Sequence, residues 1–368
     1  MFKYKVPYVN LSHDHSLIKK QILAKVSKLL HRGDFILGEE TKIFEERFAQ
    51  YCGTRYALGV NSGTDALFLS LKVLNIKPGD EVITTPNSFL ATASAITAVG
   101  AKPVFVDVTP EFNMDPKKLD QKITPKTKAL IPVHLTGRPA DMDPIMNIAK
   151  KHNLHVIEDA AQSIGALYKG KKTGSFGVAN CFSLHPLKTL NACGDGGMIT
   201  TNDASLYQTL LQLRNIGLKN RVESDVWGYN SRLDTLQASI LNIKFKYINN
   251  WIQQRRKNAD YYRKNLSDVV ACPDEQKHEF CPYHLFVIQT DRRDELQAHL
   301  DKNGIETKIH YSIPIHLQKC AQSLGYKKGD FPVAEKQAER ILSLPIYQTL
   351  TLKQMELIVR SIRKFFNK

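Results

Sequence analysis

The sequence predicts an α/β protein in which a large domain, built on a mostly parallel sheet between helices, is joined to a smaller C-terminal α+β domain. Short β-branched runs alternate with helix-length segments from about residue 56, which is typical of parallel strands joined by crossover helices. Near residue 200 this alternation ends and longer helical stretches follow. The length of 368 residues also fits two domains, since a domain takes roughly 150 residues.

Strand-like runs and helix-length segments alternate along the first part of the chain. The runs are short and rich in Val, Ile or Thr, whereas the segments between them are long enough for helices. The strand-like runs cover residues 56–60, 81–86, 102–108, 128–135 and 154–160, and the helical segments cover residues 64–74, 91–100 and 139–153. Open parallel sheets bind ligands at the carboxyl ends of their strands, so the residues that follow these runs are the candidates for a site.

The second part of the chain predicts helices followed by a smaller α+β unit. A strand-like run at 197–202 precedes helical stretches at 206–217 and 235–266. The second stretch is charged, long and free of Gly and Pro, so we expect it to link the two domains. The predicted domains are residues 1–250 and 251–368. The smaller one is expected from strand-like and helical segments at 284–290, 294–304, 306–313 and 352–366.

Composition places the chain among soluble globular proteins. Apolar residues make up 42% and charged residues 24% of the sequence, which excludes a disordered or collagen-like chain. No stretch reaches the roughly 20 apolar residues of a membrane-spanning helix, and the N-terminus lacks the apolar core of a signal peptide. The six cysteines have neither the paired spacing nor the density of a disulfide scaffold. We therefore expect a cytoplasmic protein with no membrane contact.

The basic charge of the chain points to an anionic partner without identifying it. Lys and Arg total 51 and Asp and Glu total 36, which gives a formal net charge of +15. The basic residues are scattered among acidic ones and form no known nucleic-acid-binding motif. We therefore expect no nucleic acid, and a small anionic substrate fits at least as well.

The first chemical signal is the segment NSGTDAL, which follows a strand-like run and opens a predicted helix. A Ser-Gly-Thr turn there offers free backbone N–H groups, two hydroxyls and the positive end of the helix dipole, which suit a phosphate. Gly63 permits close approach of the backbone. The structural alternative is that Ser62 or Thr64 only caps the helix.

The second and third signals are a pair of carboxylates and a lysine. Glu158 and Asp159 end an apolar run, where a carboxylate can hold a metal, a ribose or a protonated ring nitrogen, or can cap the next helix. Nothing nearby supplies the other ligands of a metal, so no metal is expected. Lys188 lies in the apolar, Gly-rich segment CFSLHPLKTLNACGDGG. Partial desolvation would lower its pKa and suit it to imine chemistry.

The three signals together predict one cofactor. Pyridoxal phosphate needs a cup for its phosphate, a carboxylate for its ring nitrogen and a lysine amine for an imine. The chain supplies these in order with Gly63, Asp159 and Lys188.

The sequence resembles the DegT/DnrJ/EryC1/StrS family of pyridoxal-phosphate-dependent sugar aminotransferases. The resemblance runs from VPYVNL through FILGEETKIFEERFAQYCGTRYALGVNSGTDAL to HYSIPIHLQ and LSLPIYQTLT. It implies the fold-type I aminotransferase fold, with a seven-stranded, mostly parallel sheet. Some members of the family carry histidine in place of the lysine and deoxygenate sugars, so Lys188 favours amino transfer here.

The resemblance also assigns roles to individual residues. Lys188 is expected to form the imine, Asp159 to pair with the ring nitrogen, and Gln162 to hydrogen-bond the ring oxygen. Asn230 matches an asparagine that reaches the phosphate in the neighbouring subunit, which implies a homodimer with shared active sites, although Asn230 could also only shape a turn. The phosphate cup and the ring-stacking aromatic are expected at Gly63, Thr64, Ser183 and Phe89, of which Phe89 could otherwise be ordinary core. Candidate substrate contacts are His185, Arg232, His310 and Tyr311.

The function implied by this resemblance is a two-stage transamination. L-Glutamate is expected to donate its amino group and leave pyridoxamine 5′-phosphate, which then aminates a keto-sugar. We expect a nucleotide-linked 3-keto or 4-keto deoxyhexose for cell-surface polysaccharides such as lipopolysaccharide O-antigen. The alternatives are an 8-keto octulosonate sugar acid as the acceptor, or a cofactor-binding regulatory protein without turnover.

Overall fold

The computed structural model describes residues 4–368. Its α-helices in that range are α1 (Leu11–Ser16), α2 (Lys19–Arg32), α3 (Glu39–Cys52), α4 (Gly63–Val73), α5 (Leu90–Ala98), α6 (Met142–Lys151), α7 (Ala204–Leu213), α8 (Thr235–Lys244), α9 (Ile248–Leu266), α10 (Arg293–Lys302), α11 (Pro332–Arg340) and α12 (Leu352–Phe365). Its β-strands are β1 (Tyr56–Val60), β2 (Glu81–Thr84), β3 (Lys102–Phe105), β4 (Thr127–Leu130), β5 (His155–Asp159), β6 (Leu167–Tyr168), β7 (Lys171–Lys172), β8 (Ala179–Ser183), β9 (Gly197–Thr201), β10 (Glu279–Phe280), β11 (Phe286–Gln289) and β12 (Ile341–Leu344).

Seven of the strands in residues 4–368 form one sheet in the order β1–β9–β8–β5–β4–β2–β3. Strands β3, β2, β4, β5 and β8 pair in parallel. Strand β9 runs antiparallel to both β8 and β1. The predicted seven-stranded, mostly parallel sheet is thereby confirmed.

Helices cover both faces of this sheet. Neighbouring residues of a strand point to opposite faces. Accordingly, Phe182 of β8 joins the core cluster of Phe44 from α3 and Leu241 from α8. Its neighbour Cys181 joins the cluster of Leu69 from α4. The sheet is therefore sandwiched between helices, as the alternation of strands and helices predicts.

The β-branched runs do not predict β8, although it lies in the middle of the sheet. Its sequence, ANCFS, contains no Val, Ile or Thr. Burial between β5 and β9 sets its conformation, and Phe182 is 1% exposed with its ring 5.0 Å from that of Phe48. Tertiary packing overrides the weak local propensity here.

The stretch 235–266 connects two core clusters. It consists of α8 and α9 with a short 3₁₀ turn, Phe245–Tyr247, between them. Ile252 still packs in the cluster beneath the large sheet. Tyr262 packs with Phe286 in the C-terminal cluster. The stretch is thus helical as expected, while the two domains and their boundary near residue 250 stay predictions.

The C-terminal part contains a small antiparallel sheet. Strand β11 pairs with β12, which follows α11. The strand-like segment predicted at 306–313 pairs with β12 only through a single bridge between Lys308 and Ser343. Val6, near the N-terminus, also packs in this C-terminal cluster.

Every helix within residues 4–368 is too short or too polar to cross a bilayer.

The two carboxylates at the end of β5 differ in their surroundings. Glu158 is fully buried, its Oε2 lies 2.8 Å from Nε2 of His134, and it accepts backbone N–H bonds from Gly174 and Gly177 at 2.8 and 3.0 Å. Burial raises the pKa of Glu158, but the hydrogen bonds from His134 and the backbone outweigh it, so the pKa is lowered overall. Glu158 therefore ties the segment between β7 and β8 to the sheet.

Glu158→Gln should destabilise the fold by about 3 kcal/mol. The NH₂ of the amide would replace one carboxylate oxygen, and the N–H donors that faced this oxygen would lose their acceptor. The folded-state pKa of Glu158 lies below 4.5, so its contribution is present above pH 4.5 and is lost as the pH falls through the folded-state value. Urea unfolding across this pH range should show a flatter acid dependence for the variant. Glu46→Gln, which removes only an exposed carboxylate 4.0 Å from Lys42, is the control and should change stability little.

Candidate active site

A cavity of about 330 Å³ opens at the carboxyl ends of β1, β5 and β8. This volume lies within the range of small-molecule sites. Most of the predicted site residues line it together: Gly63, Thr64, Phe89, Asp159, Gln162, Ser183, His185, Lys188, His310 and Tyr311. Residues that are far apart in the sequence therefore meet at one edge of the sheet.

The N-terminus of α4 forms one wall of the cavity. Ser62 caps the helix, since its hydroxyl accepts the N–H of Asp65 at 3.0 Å. The structural alternative is thus correct for Ser62. With this cap in place, the N–H groups of Gly63 and Thr64 have no acceptor in the part of the chain described. These free donors at the positive end of the helix suit a phosphate.

Gly63 packs closely against the end of β8. A Cβ atom at this position would lie 2.7 Å from Cβ of Ser183, which is closer than two carbon atoms can approach. Only glycine allows this contact without a shift of the backbone. The contact places the Ser183 hydroxyl beside the start of α4.

Asp159 is the carboxylate of the pair that lines the cavity. It is buried, accepts a hydrogen bond from Oγ1 of Thr92 at 2.8 Å and accepts the N–H of Ala161 at 3.2 Å. Burial raises the pKa of Asp159, and these hydrogen bonds together with the charge of Lys188 partly offset the rise. A cation beside Asp159 would favour its ionised form.

Lys188 is half-buried and also lines the cavity. Desolvation lowers the pKa of its amine to about 8, although the charge of Asp159 acts in the opposite direction. Its backbone is held on both sides, because the N–H donates to the carbonyl of His185 at 2.8 Å and the carbonyl accepts from Nδ2 of Asn191 at 2.9 Å. The backbone that carries the amine is therefore held in place, and the lowered pKa makes the amine easier to deprotonate, as a nucleophile requires.

Gln162 and Phe89 complete the part of the cavity predicted to hold a ring. Oε1 of Gln162 accepts the N–H of Thr136 at 2.8 Å, and its Nε2 donates to the hydroxyl of Tyr311 at 3.4 Å. Phe89 is 58% exposed, with its ring 5.8 Å from that of Tyr311. Phe89 is therefore an aromatic surface of the cavity and not part of the core.

Asn230 and Arg232 lie outside this cavity. Asn230 is exposed and forms a backbone bridge with Asn215, and Arg232 donates to Oδ1 of Asn215 at 2.9 Å. The structure of one chain thus does not bring them to the site. Their expected roles, including contact with a neighbouring subunit, stay predictions.

Several residues that line the cavity are absent from the predicted set, and two of the polar ones are Thr92 and His284. Thr92 lies three residues after Phe89 and buttresses Asp159, and its position one turn into α5 is the only sequence signal for it. His284 comes from the segment before β11, and no local sequence pattern predicts it. Only the folded chain brings Thr92 to Asp159, and only there does His284 line the same cavity as Lys188.

Pyridoxal phosphate fits the residues present. The unpaired N–H groups of Gly63 and Thr64 suit its phosphate, and Asp159 suits its ring nitrogen. The half-buried amine of Lys188 has no hydrogen-bond acceptor among residues 4–368 and is available for an aldehyde.

Comparisons with known proteins identify the family and the fold of this chain. The model of the DegT/DnrJ/EryC1/StrS aminotransferase family matches residues 16–363. The chain is 44% identical to the "Pleiotropic regulatory protein" of Geobacillus stearothermophilus, over 98% of each chain. It is 43% identical to UDP-N-acetyl-3-dehydro-alpha-D-glucosamine 3-aminotransferase of Acidithiobacillus ferrooxidans, over 98% of this chain and 97% of that protein. The solved structure of S. venezuelae DesV in complex with a ketimine intermediate has a TM-score of 0.96 and 39% identity, over 99% of each chain.

The fold and the site thus define an enzyme of the pyridoxal-phosphate-dependent aminotransferase class. The chain belongs to the DegT/DnrJ/EryC1/StrS aminotransferase family, as its motifs predict. Within that family it is a sugar aminotransferase.

Gly63→Ala should weaken cofactor binding by about tenfold, or about 1.4 kcal/mol, because the new methyl group would push α4 away from Ser183. The dissociation constant can be measured from the absorbance of the bound cofactor. Gly59→Ala is the control, since its Cβ would lie 2.7 Å from Cβ of Leu233 outside the cavity. It should lower stability and leave the affinity of the folded protein intact; equal losses of affinity in both variants would contradict the assignment.

Proposed function

We propose that this chain binds pyridoxal phosphate in the 330 Å³ cavity and transfers an amino group from L-glutamate to a nucleotide-linked 3-keto sugar. The observation that carries the proposal is the half-buried amine of Lys188 in the same cavity as the buried carboxylate of Asp159. The product would serve the synthesis of cell-surface polysaccharide.

Lys188 would provide the proton-transferring amine. When bound, pyridoxal phosphate supplies an aldehyde and a ring that withdraws electrons from the reacting carbon. With a pKa of about 8, Lys188 is neutral in an appreciable fraction of molecules near neutral pH, so it can accept a proton from the amino donor and return it. Asp159, supported by Thr92, would hold the positive ring nitrogen.

The acceptor is proposed from the polar part of the cavity and from a relative. His185, His310 and Tyr311 line the cavity with groups that can hydrogen-bond sugar hydroxyls. Desolvation lowers the pKa of His310 to about 4, so it would act there as a neutral ring. The relative from Acidithiobacillus is named for amino transfer at C3 of a UDP-linked sugar, which favours C3 over C4. The net charge of +15 would assist the approach of a diphosphate.

The proposal also covers the amino donor, the oligomeric state and the cellular location of the enzyme. Family resemblance supports L-glutamate as the donor and a homodimer in which Asn230 reaches the phosphate in the neighbouring subunit, while Arg232 stays a candidate substrate contact. The exposure of Asn230 leaves it accessible to such a partner. Nucleotide-linked sugars as substrates would place the enzyme in the cytoplasm.

The second candidate is a cofactor-binding regulatory protein without turnover. The name of the Geobacillus relative favours it. Such a protein would bind the cofactor through Gly63 and Asp159 without needing an amine of lowered pKa. Turnover decides between the two candidates.

Lys188→Ala should slow the reaction of the cofactor-loaded protein with L-glutamate by about 10⁴-fold, because it removes the group that accepts and returns the proton. Absorbance of the bound cofactor follows this half-reaction. Lys172→Ala is the matched control, since desolvation also lowers the pKa of Lys172 but this residue lies outside the cavity. A wild-type rate in Lys188→Ala, or no reaction in the wild type, would overturn the assignment.

A panel of keto-sugars should identify the acceptor. We expect UDP- or dTDP-linked 3-keto sugars to react at least about tenfold faster than 4-keto isomers, because a fixed cavity places one carbonyl beside Lys188. Release of 2-oxoglutarate gives the rate, and NMR of the product locates the new amine. Faster amination of a 4-keto sugar or of an 8-keto octulosonate would reject C3, and no acceptor at all would favour the regulatory protein.

A further inference from the structure

A second, much smaller cavity shares Lys188 and His284 with the 330 Å³ cavity. Its volume is about 10 Å³, which is close to the space that one water molecule needs. Thr189 also lines it. A single water molecule would fill a cavity of this size.

Two buried polar atoms of the lining residues have no hydrogen-bond partner among residues 4–368. They are Nδ1 of His284 and Oγ1 of Thr189. His284 is 8% exposed and Thr189 is 2% exposed, so bulk water does not reach these atoms. Buried polar atoms left unpaired cost free energy, and an internal water with polar partners removes that cost.

His284 lines both cavities, and its Nδ1 has no hydrogen-bond partner among residues 4–368. Burial lowers the pKa of His284 well below its usual range, and the charges facing it from Lys188, Arg255 and His310 act in the same direction. The ring is therefore neutral, with one N–H donor and one acceptor nitrogen. Such a ring can accept a proton at one nitrogen and release another from the opposite nitrogen.

We propose that the small cavity holds one water molecule bound to Nδ1 of His284 and Oγ1 of Thr189, and that this water and His284 exchange a proton with Lys188. A proton passes from the ammonium of Lys188 to the water oxygen as the water passes one of its own protons to Nδ1 of His284. The Nε2 proton of His284 then passes to the oxygen of a water molecule in the larger cavity, which His284 also lines. The reverse sequence returns a proton to Lys188, and no electrons are transferred.

This relay would return Lys188 to its starting protonation state between the two half-reactions. The inference therefore rests on the proposed function. Thr189 is a positioning residue that holds the water, whereas His284 carries the proton to and from Lys188 through that water. The water site itself can be tested on the protein without cofactor or sugar.

Thr189→Val tests the water site, because it keeps the side-chain shape and removes the hydroxyl. Loss of the water would remove a hydrogen-bond acceptor from the ammonium of Lys188. The pH midpoint for acylation of Lys188 in the cofactor-free chain, measured by mass spectrometry, should therefore fall. The half-reaction with L-glutamate should slow about tenfold with little change in KM, and Thr189→Ser should recover most of the rate.

Thr41→Val is the matched control. Thr41 in α3 is buried, and its hydroxyl likewise has no partner within the described chain, but it lies outside both cavities. This variant should leave the acylation midpoint and the rate unchanged. If Thr189→Val behaves like Thr41→Val, or if a crystal structure with ordered waters shows no density in the small cavity, the proposal is wrong.

His284→Asn tests the relay separately from the water site. The amide can still hydrogen-bond the water but cannot pass a proton through a ring. In mixtures of H₂O and D₂O, a plot of the wild-type rate against deuterium fraction should be curved, as expected when several protons move in one step. The variant should be about tenfold slower, and its plot should be linear. A linear wild-type dependence would overturn the relay. A wild type that fails to transaminate would overturn the proposed function, whereas a lowered midpoint in Thr189→Val would still support the water site.

Discussion

The placement of a partly desolvated amine and a buried carboxylate at one edge of the sheet is the interaction on which this enzyme depends. Desolvation destabilises both charges, and each charge stabilises the other. Lys188 consequently has a pKa of about 8, near that of a working base, and the hydrogen bond from Thr92 and the charge of Lys188 partly offset the rise that burial causes in the pKa of Asp159. The reactivity of either group is thus a property of the pair and its surroundings.

The sheet topology brings the pair and the proposed phosphate-binding wall together. Asp159 ends β5, the segment of Lys188 follows β8, and these strands are parallel neighbours. Strand β9 then returns antiparallel and pairs with β1, whose carboxyl end leads into α4. The contact of Gly63 with Ser183 closes this arrangement, because it sets the distance between the start of α4 and the end of β8.

Alternation along one strand separates structural from chemical roles. Glu158 and Asp159 are adjacent carboxylates, yet Glu158 is engaged by His134 and backbone N–H groups while Asp159 lines the cavity. Side chains of successive strand residues point to opposite faces, so one carboxylate stabilises the fold and the other is available to a ligand. A pair of acidic residues at a strand end therefore need not act together.

The sequence by itself determined the alternation of strands and helices, the family, and the candidates Lys188, Asp159 and Gly63 that line the cavity, since these signals are patterns of a few adjacent residues. Only the tertiary structure decided that Thr92 supports Asp159 across 67 positions and that His284 joins the site. It also decided that ANCFS forms a central strand and that Asn230 lies outside the cavity of its own chain. The physical reason is that burial and hydrogen bonding between distant segments depend on how the chain packs, which no local pattern records.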